Sequence, residues 1–158
     1  MTSGTAKNAA ESEQLLTFIV DGQEYGVDIL RVQEIRGWSA PMPIPQAPAY
    51  IKGVINIRGD VVPIADLRER LGLPTLPYGQ TTVVIVLRVL GGARERVMGV
   101  IVDAMSDVTN VPTGAVKAPP SFHDSSEPSP ARGIAMLEEK MITILDVDRI
   151  FGEHVVIR

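Results

Sequence analysis

Apolar residues in this chain fall in short, β-branched runs separated by turn residues, and the runs come in pairs. Leu15–Val20 is the first run, Asp21-Gly22 is a hairpin turn signal, and Glu24–Ile29 returns as a second strand. Ile29, Val32 and Ile35 are spaced three apart, which predicts a short helical turn. Trp38 to Ala49 then carries Pro41, Pro43, Pro45 and Pro48. Proline fixes φ and donates no hydrogen bond, so this stretch predicts a stiff loop or edge segment. In Gly53–Gly72, Val54, Ile55 and Ile57 precede a break at Arg58-Gly59-Asp60, and Val61, Val62 and Ile64 follow it. That predicts a second hairpin. Asp66 is placed to cap the short helix of Leu67 to Leu71, with Gly72 at its C-terminal end.

Leu73 to Gln80, with Pro74, Pro77 and Gly79, reads as a connector, and the plan then repeats. Thr82–Val89, a turn at Gly91-Gly92 and Val97–Val102 make a third hairpin; Asn110 to Arg132, rich in proline and serine, reads as a loop. Gly133–Gly152 then lies over Gly53–Gly72 without a gap: Gly133 on Gly53, Ile144 on Ile64, Asp146 on Asp66, Gly152 on Gly72. Tyr25-Gly26-Val27 likewise lies over Met98-Gly99-Val100, Val32 over Met105, and Glu34-Ile35 over Asp107-Val108. Because the glycines and the cap aspartate coincide as well as the apolar positions, the chain holds two copies of one half-barrel unit. The expected architecture is all-β: two small barrels in tandem with a few short helices and two linked cores. The expected boundaries are a disordered tail at 1–13, a first barrel at 14–78, a second at 79–152 whose terminal helix packs on either half, and a tail at 153–158.

Composition narrows the function. Aromatic residues are 4% of the 158, so the core must be built from Val, Ile, Leu, Ala and Met. Fifteen basic and 19 acidic residues leave a net charge of −4. That disfavours nucleic acid, which needs a basic footprint and stacking platforms. There is no cysteine, so thiol chemistry and thiolate metal sites are excluded. The N-terminal residues lack the apolar core of a signal peptide. The longest apolar runs, such as Val83–Leu87, are far shorter than the ~18 residues of a membrane helix, so no direct membrane insertion is expected.

A catalytic site needs convergent reactive groups. The two histidines, His123 and His154, fall in a loop and a tail. Gly91-Gly92 lacks the Lys and Ser/Thr of a phosphate loop. Asp66 and Asp146 read as helix caps, while Asp28, Asp103 and Asp107 are either a carboxylate cluster or residues on solvated faces and turns. No enzyme activity, metal or cofactor is expected. Binding remains: a groove between two barrels suits a partner helix gripped by apolar anchors. Ile29, Val32, Glu34, Ile35, Val102 and Met105 are candidates at such a seam, the apolar ones alternatively being core. Arg58 stands alone in an apolar hairpin and lies over Glu138 in the repeat, so the fold does not require a cation there. It is either a solvated hairpin tip or an exposed contact of the kind enriched at interfaces.

DGQEYGVDILRVQEIRGW, PAYIKGVINIRGDVVPIADLRERLG, TTVVIVL and MGVIVDAMSDV together resemble the bacterial chemotaxis coupling protein family, CheW. The resemblance runs from about Gln14 to Phe151, and its most specific part is Gly53 to Arg68. It implies two tandem five-stranded SH3-like barrels and a non-catalytic, cytoplasmic adaptor, monomeric alone and part of arrays at the inner face of the membrane. The implied partners are the cytoplasmic hairpin tip of chemoreceptors and the regulatory domain of the chemotaxis histidine kinase. By position, Val32, Glu34, Arg58 and Gly59 would meet the receptor, with Gly53 supporting the loop and Val102 and Met105 facing the same groove. Kinase contacts are implied only loosely, around Val83, Val84, Asp107 and Val108. A sister adaptor of a pilus-motility or other chemosensory-type pathway is the near alternative. An enzyme on a small barrel and a nucleic-acid binder are the distant ones.

Overall fold

The computed structural model describes residues 12–91, 94–120 and 129–151. Eleven strands and two short helices follow one another: β1 Ser12–Val20, β2 Gln23–Asp28, β3 Val32–Gly37, β4 Ile51–Ile57, β5 Asp60–Asp66, α1 Leu67–Arg70, β6 Val83–Gly91, β7 Arg94–Val102, β8 Ala104–Pro112, β9 Val116–Lys117, β10 Ala131–Met136, β11 Met141–Leu145 and α2 Val147–Phe151. They form two curled sheets, one of six strands in the order β8-β1-β2-β11-β10-β9 and one of five in the order β3-β6-β7-β5-β4. The all-β expectation holds, with the two-residue β9 making one sheet six-stranded.

Turn chemistry behaves as the residues predict. Val20 pairs with Gln23 across Asp21-Gly22, and Ile57 pairs with Asp60 across Arg58-Gly59. In both turns the two central residues have positive φ (55° and 75°, 51° and 92°). This is the twist that a two-residue hairpin needs. Asp66 caps α1 by accepting the Arg68 N–H at 2.9 Å, and Asp146 accepts the Arg149 N–H at 3.1 Å. The helical turn expected over Ile29, Val32 and Ile35 is confined to a 3-10 turn at Ile29–Arg31, and Val32 already opens β3. The loop expected from Asn110 begins later, because β8 runs to Pro112 and a 3-10 turn and β9 follow.

The repeat is visible in three dimensions. The ladder shifts register between Ile51 and Gly53, and again between the equivalent Ala131 and Gly133. Gly26 pairs in parallel with Ile144, and the equivalent Gly99 pairs in parallel with Ile64. Both glycines sit at close approaches: a Cβ on Gly99 would lie 2.5 Å from Ile64 Cδ1, and one on Gly26 would lie 3.2 Å from Ile142 Cγ2, contacts that the neighbouring side chains would have to relieve.

The strands do not divide at residue 78, however. Hairpin β1–β2 joins β11 of the second copy, and hairpin β6–β7 joins β5 of the first. Each sheet is therefore built from both halves. The reason lies in the connection Ile29–Arg31. The outer edge of β2 is taken by β11, and the far side of β1 is parallel to β2. Reaching it within one sheet takes a crossover of about a dozen residues, and only three are present. β3 therefore leaves for the other sheet, and β8 makes the reciprocal move.

This exchange gives three cores in place of two. Val84, Val86, Ile64 and Ile101 fill the five-stranded sheet, and Leu15, Val111, Ile142 and Ile144 fill the six-stranded one. A third, larger cluster lies between them and takes Leu16, Phe18 and Val27 from one sheet and Ile85, Leu87 and Val100 from the other. Strands β1 and β6 thus bury both faces, which is why they read as continuous apolar runs. α2 carries Ile150 and Phe151 into this shared core, with Phe151 near the Tyr50 ring and Arg70 Nε donating to the Ile150 carbonyl at 3.0 Å.

Candidate functional site

The five-stranded sheet curls until its two outer strands, β3 and β4, come near each other at the Arg58-Gly59 tip. Along β3 the even positions Val32, Glu34 and Arg36 are half-buried and the odd ones exposed. Glu34 is gripped from two sides. Its Oε1 accepts from Arg58 Nη2 in a short ion pair, and its Oε2 accepts from Arg36 Nη1 at 3.0 Å. Hydrogen bonds from Arg58 and Arg36 hold the Glu34 carboxyl below the usual carboxylate range. The Arg58 side chain remains 67% exposed, so one face of its guanidinium is committed to Glu34 and the rest is available.

The backbone beneath Arg58 is built for presentation. A non-glycine residue at φ 51° is disfavoured. It is offset here by the turn, in which Asn56 Oδ1 accepts the Gly59 N–H at 2.8 Å. Gly53 supports the strand from behind. Its φ of 146° and its approach to Met42 leave no space for a side chain, since a Cβ would lie 2.2 Å from the Met42 oxygen. That approach allows a two-way bridge, Met42 N–H to Val54 O and Val54 N–H to Met42 O, both 2.9 Å, which covers the edge of β4. An open cleft of about 460 Å³ runs beside the tip, bordered by Gln33, Arg58, Asp60, Val61, Arg94 and Glu95.

Val32, Glu34, Arg58 and Gly59 are thus brought to one place, with Gly53 behind them, and Val32 packs on the margin of the shared core. Met105, on β8 in the other sheet, packs on that same core. Val102 departs from the expectation: it is 1% exposed inside the shared core and offers no surface to a partner. Its place at the end of β7, where the chain crosses between sheets, buries it. Arg36 and Asn56 are additions that the chain pattern did not single out. An Asn just before an Arg-Gly turn was the available signal for the second.

The other group separates likewise. Asp107 and Val108 are exposed on β8, an outer strand of the six-stranded sheet. Buried Thr17 ties them to β1: its Oγ1 donates to the Asp107 carbonyl and accepts the Asp107 N–H, both 3.0 Å. Val84, by contrast, is 3% exposed in the interior of the five-stranded sheet, and Val83 packs on the shared core. Val84 lies where β6 is covered on both faces and offers no surface to a partner, whereas Val83 is half-buried.

Among the described residues, no group of three or more His, Cys, Asp or Glu is placed to hold a metal ion. The carboxylates of Asp28, Asp103 and Asp107 are engaged separately, Asp28 by the Leu30 N–H, Asp103 by Arg68 and Asp107 by the Val108 N–H. His123 and His154 lie outside the described residues, as do Gly92 and Gly152. Among the described residues no helix is long and apolar enough to cross a membrane.

The CheW-like domain profile matches residues 14–155, almost the whole of this two-sheet structure. The chain belongs to the CheW-like family. It is 38% identical over 151 residues to the chemotaxis protein CheW of Rhizobium meliloti (strain 1021), covering 96% of this chain and 95% of that one. It is 37% identical over 142 residues to the chemotaxis protein CheW of Klebsiella aerogenes, covering 90% and 83%. Among solved structures it is similar to the scaffolding protein TtCheW of Thermoanaerobacter tengcongensis, with TM-score 0.80 and 27% identity over 92% of this chain and 99% of that one. The chain is therefore a CheW-family scaffold protein built on the two curled sheets.

Proposed function

We propose that this protein is a non-catalytic adaptor that couples chemoreceptors to the chemotaxis histidine kinase. In this reading the receptor's cytoplasmic hairpin tip docks where β3 meets the Arg58-Gly59 turn, and the kinase's regulatory domain takes the outer strand β8 at Asp107 and Val108. The observation that carries it is Arg58: exposed, held on a positive-φ hairpin tip and aimed by Glu34, beside the half-buried Val32. An arginine fixed in this way loses little entropy on docking, and a neighbouring apolar residue gives a partner helix something to bury. Membership of the CheW-like family supports the pathway. Having no chemistry of its own, the adaptor acts by biasing the assembly of receptor and kinase between states.

The test is retention on an immobilised receptor hairpin fragment. Arg58→Ala and Val32→Asp weaken retention while circular dichroism shows both folded, with Val32→Asp alone lowering the melting temperature because Val32 packs on the shared core. Unchanged retention by both variants removes the assignment of the receptor to this surface. Co-purification of the wild-type chain with a histidine kinase and a receptor fragment tests the coupling itself.

A further inference from the structure

Two ion pairs, one at each end of the molecule, lock the chain crossings between the sheets. At one end Arg68 of α1 grips Asp103, which joins β7 to β8: Nε lies 2.9 Å from Oδ1 and Nη2 2.8 Å from Oδ2. At the other end Asp148 of α2 is gripped by Arg31, which joins β2 to β3: Nη1 lies 2.7 Å from Oδ1 and Nη2 2.6 Å from Oδ2. Each carboxylate also accepts a backbone N–H from a hairpin of the sheet it faces. Asp103 Oδ2 takes that of Asp21 at 2.8 Å, and Asp148 Oδ1 takes that of Leu90 at 2.6 Å.

The two pairs are repeat equivalents. With Asp66 over Asp146, Arg68 lies over Asp148; with Val32 over Met105, Arg31 lies one residue from the counterpart of Asp103. Their polarity is reversed. In the first copy both the crossing and the helix are cationic (Arg31, Arg68), and in the second both are anionic (Asp103, Asp148). Both bidentate pairs run between unlike copies and are attractive, while Arg68 Nη2 also lies 3.4 Å from Asp21 Oδ1 of its own copy.

We propose that this reversal is a pairing code which makes each half of the fold reject its own kind in a second copy of the chain. Because the sheets are built by exchange, two chains can in principle pair first half with first half and second with second. That assembly sets Arg31 against Arg68 and Asp103 against Asp148, with the like charges at half-buried sites where an unpaired charge is costly. Pairing of unlike halves meets no such penalty. The charges at these two sites differ in sign between the copies, and so distinguish like from unlike pairing.

The code predicts an uncommon result for a charge swap. In R31D/D148R the native contact keeps one cation and one anion but the Leu90 N–H loses its acceptor, a loss that R31M/D148L shares, and each half now carries one charge of each sign so that like halves match. After denaturation and refolding of the full chain at high protein concentration, light scattering on a sizing column reads the dimer. The swap raises the dimer fraction about tenfold over wild type, two contacts having changed sign. Pairing of unlike halves is attractive in both proteins, so the increment reports like-half pairing alone. R31M/D148L, which removes both charges and keeps an apolar contact, falls between the two. Wild type refolded in about 1 M sodium chloride, where screening is near 3 Å, also gains dimer without any substitution. Equal dimer fractions in wild type, R31D/D148R and R31M/D148L overturn the proposal. If the swapped chain does not refold, R31M/D148L and the salt series decide, and a wild-type level in both overturns it.

Discussion

Replacing Gly53 by alanine is the sharpest test of how the Arg58 hairpin is supported. The added Cβ lands 2.2 Å from the Met42 carbonyl oxygen and 2.6 Å from its carbon, both backbone atoms with no rotamer to yield. The φ of 146° adds a backbone penalty of about 1–3 kcal/mol. Relieving the clash pushes the Met42 segment off β4 and breaks the two 2.9 Å bonds of the bridge to Val54. These contribute about 0.5–1.5 kcal/mol each. The total is on the order of 3–4 kcal/mol, a large share of the ~5–15 kcal/mol that holds a domain. For a chain of this length the melting temperature falls by roughly 10 °C. Urea unfolding of the variant measures the loss directly. Gly59→Ala is the control, because that position also has positive φ, 92°, but nothing lies within 4 Å of its Cβ. Only the conformational cost applies there, about 1–2 kcal/mol. If the two variants lose the same stability, or Gly53→Ala loses less than about 1 kcal/mol, the close approach to Met42 is not what requires glycine.

Other substitutions probe other contacts. Arg58→Ala leaves Glu34 with Arg36 alone, so its carboxyl pKa, followed by NMR titration, rises towards the usual value, and retention on a receptor fragment falls about tenfold. Thr17→Val leaves the Asp107 N–H and carbonyl without their buried partner; it costs about 1–3 kcal/mol in urea unfolding and weakens capture by the kinase's regulatory domain. Tyr78→Phe removes the hydroxyl that donates to buried Asp66 Oδ2 at 2.7 Å, lowering stability by about 1–3 kcal/mol while Trp38 keeps its ring contact. Burial pushes the Asp103 and Asp148 carboxyls up, but Arg68, Arg31 and backbone N–H groups outweigh it and hold both below the ordinary value. Their contribution to stability is therefore full above about pH 4 and is lost as pH falls through the folded-state values. Arg31→Met flattens this acid loss, read as a smaller difference between urea midpoints at neutral and acid pH.

Much of this molecule is legible along the chain because its signals are local. Asp21-Gly22 and Arg58-Gly59 specify two-residue turns whatever surrounds them, and Asp66 and Asp146 cap the residues that directly follow. The duplication is visible because glycine stands at the same ladder irregularity in both copies, at Gly53 with its close approach to Met42 and at Gly133 beside Val116. Gathering Val32, Glu34 and Arg58 needed the family resemblance, since nothing in their spacing joins β3 to a hairpin tip more than twenty residues on. The resemblance put Val84, and the chain pattern Val102, at partner-facing positions, and both are buried. An apolar residue on a strand looks alike whether its face meets solvent, one sheet or two.

The amino-acid order alone determined the strands, the turns, the caps and the twofold repeat, since each is settled within a few residues by backbone preference and side-chain reach. Only the tertiary structure decided which copy each hairpin joins. The connection Ile29–Arg31, and the single residue Asp103 between β7 and β8, are too short for a crossover within one sheet, so each copy sends a strand to the other.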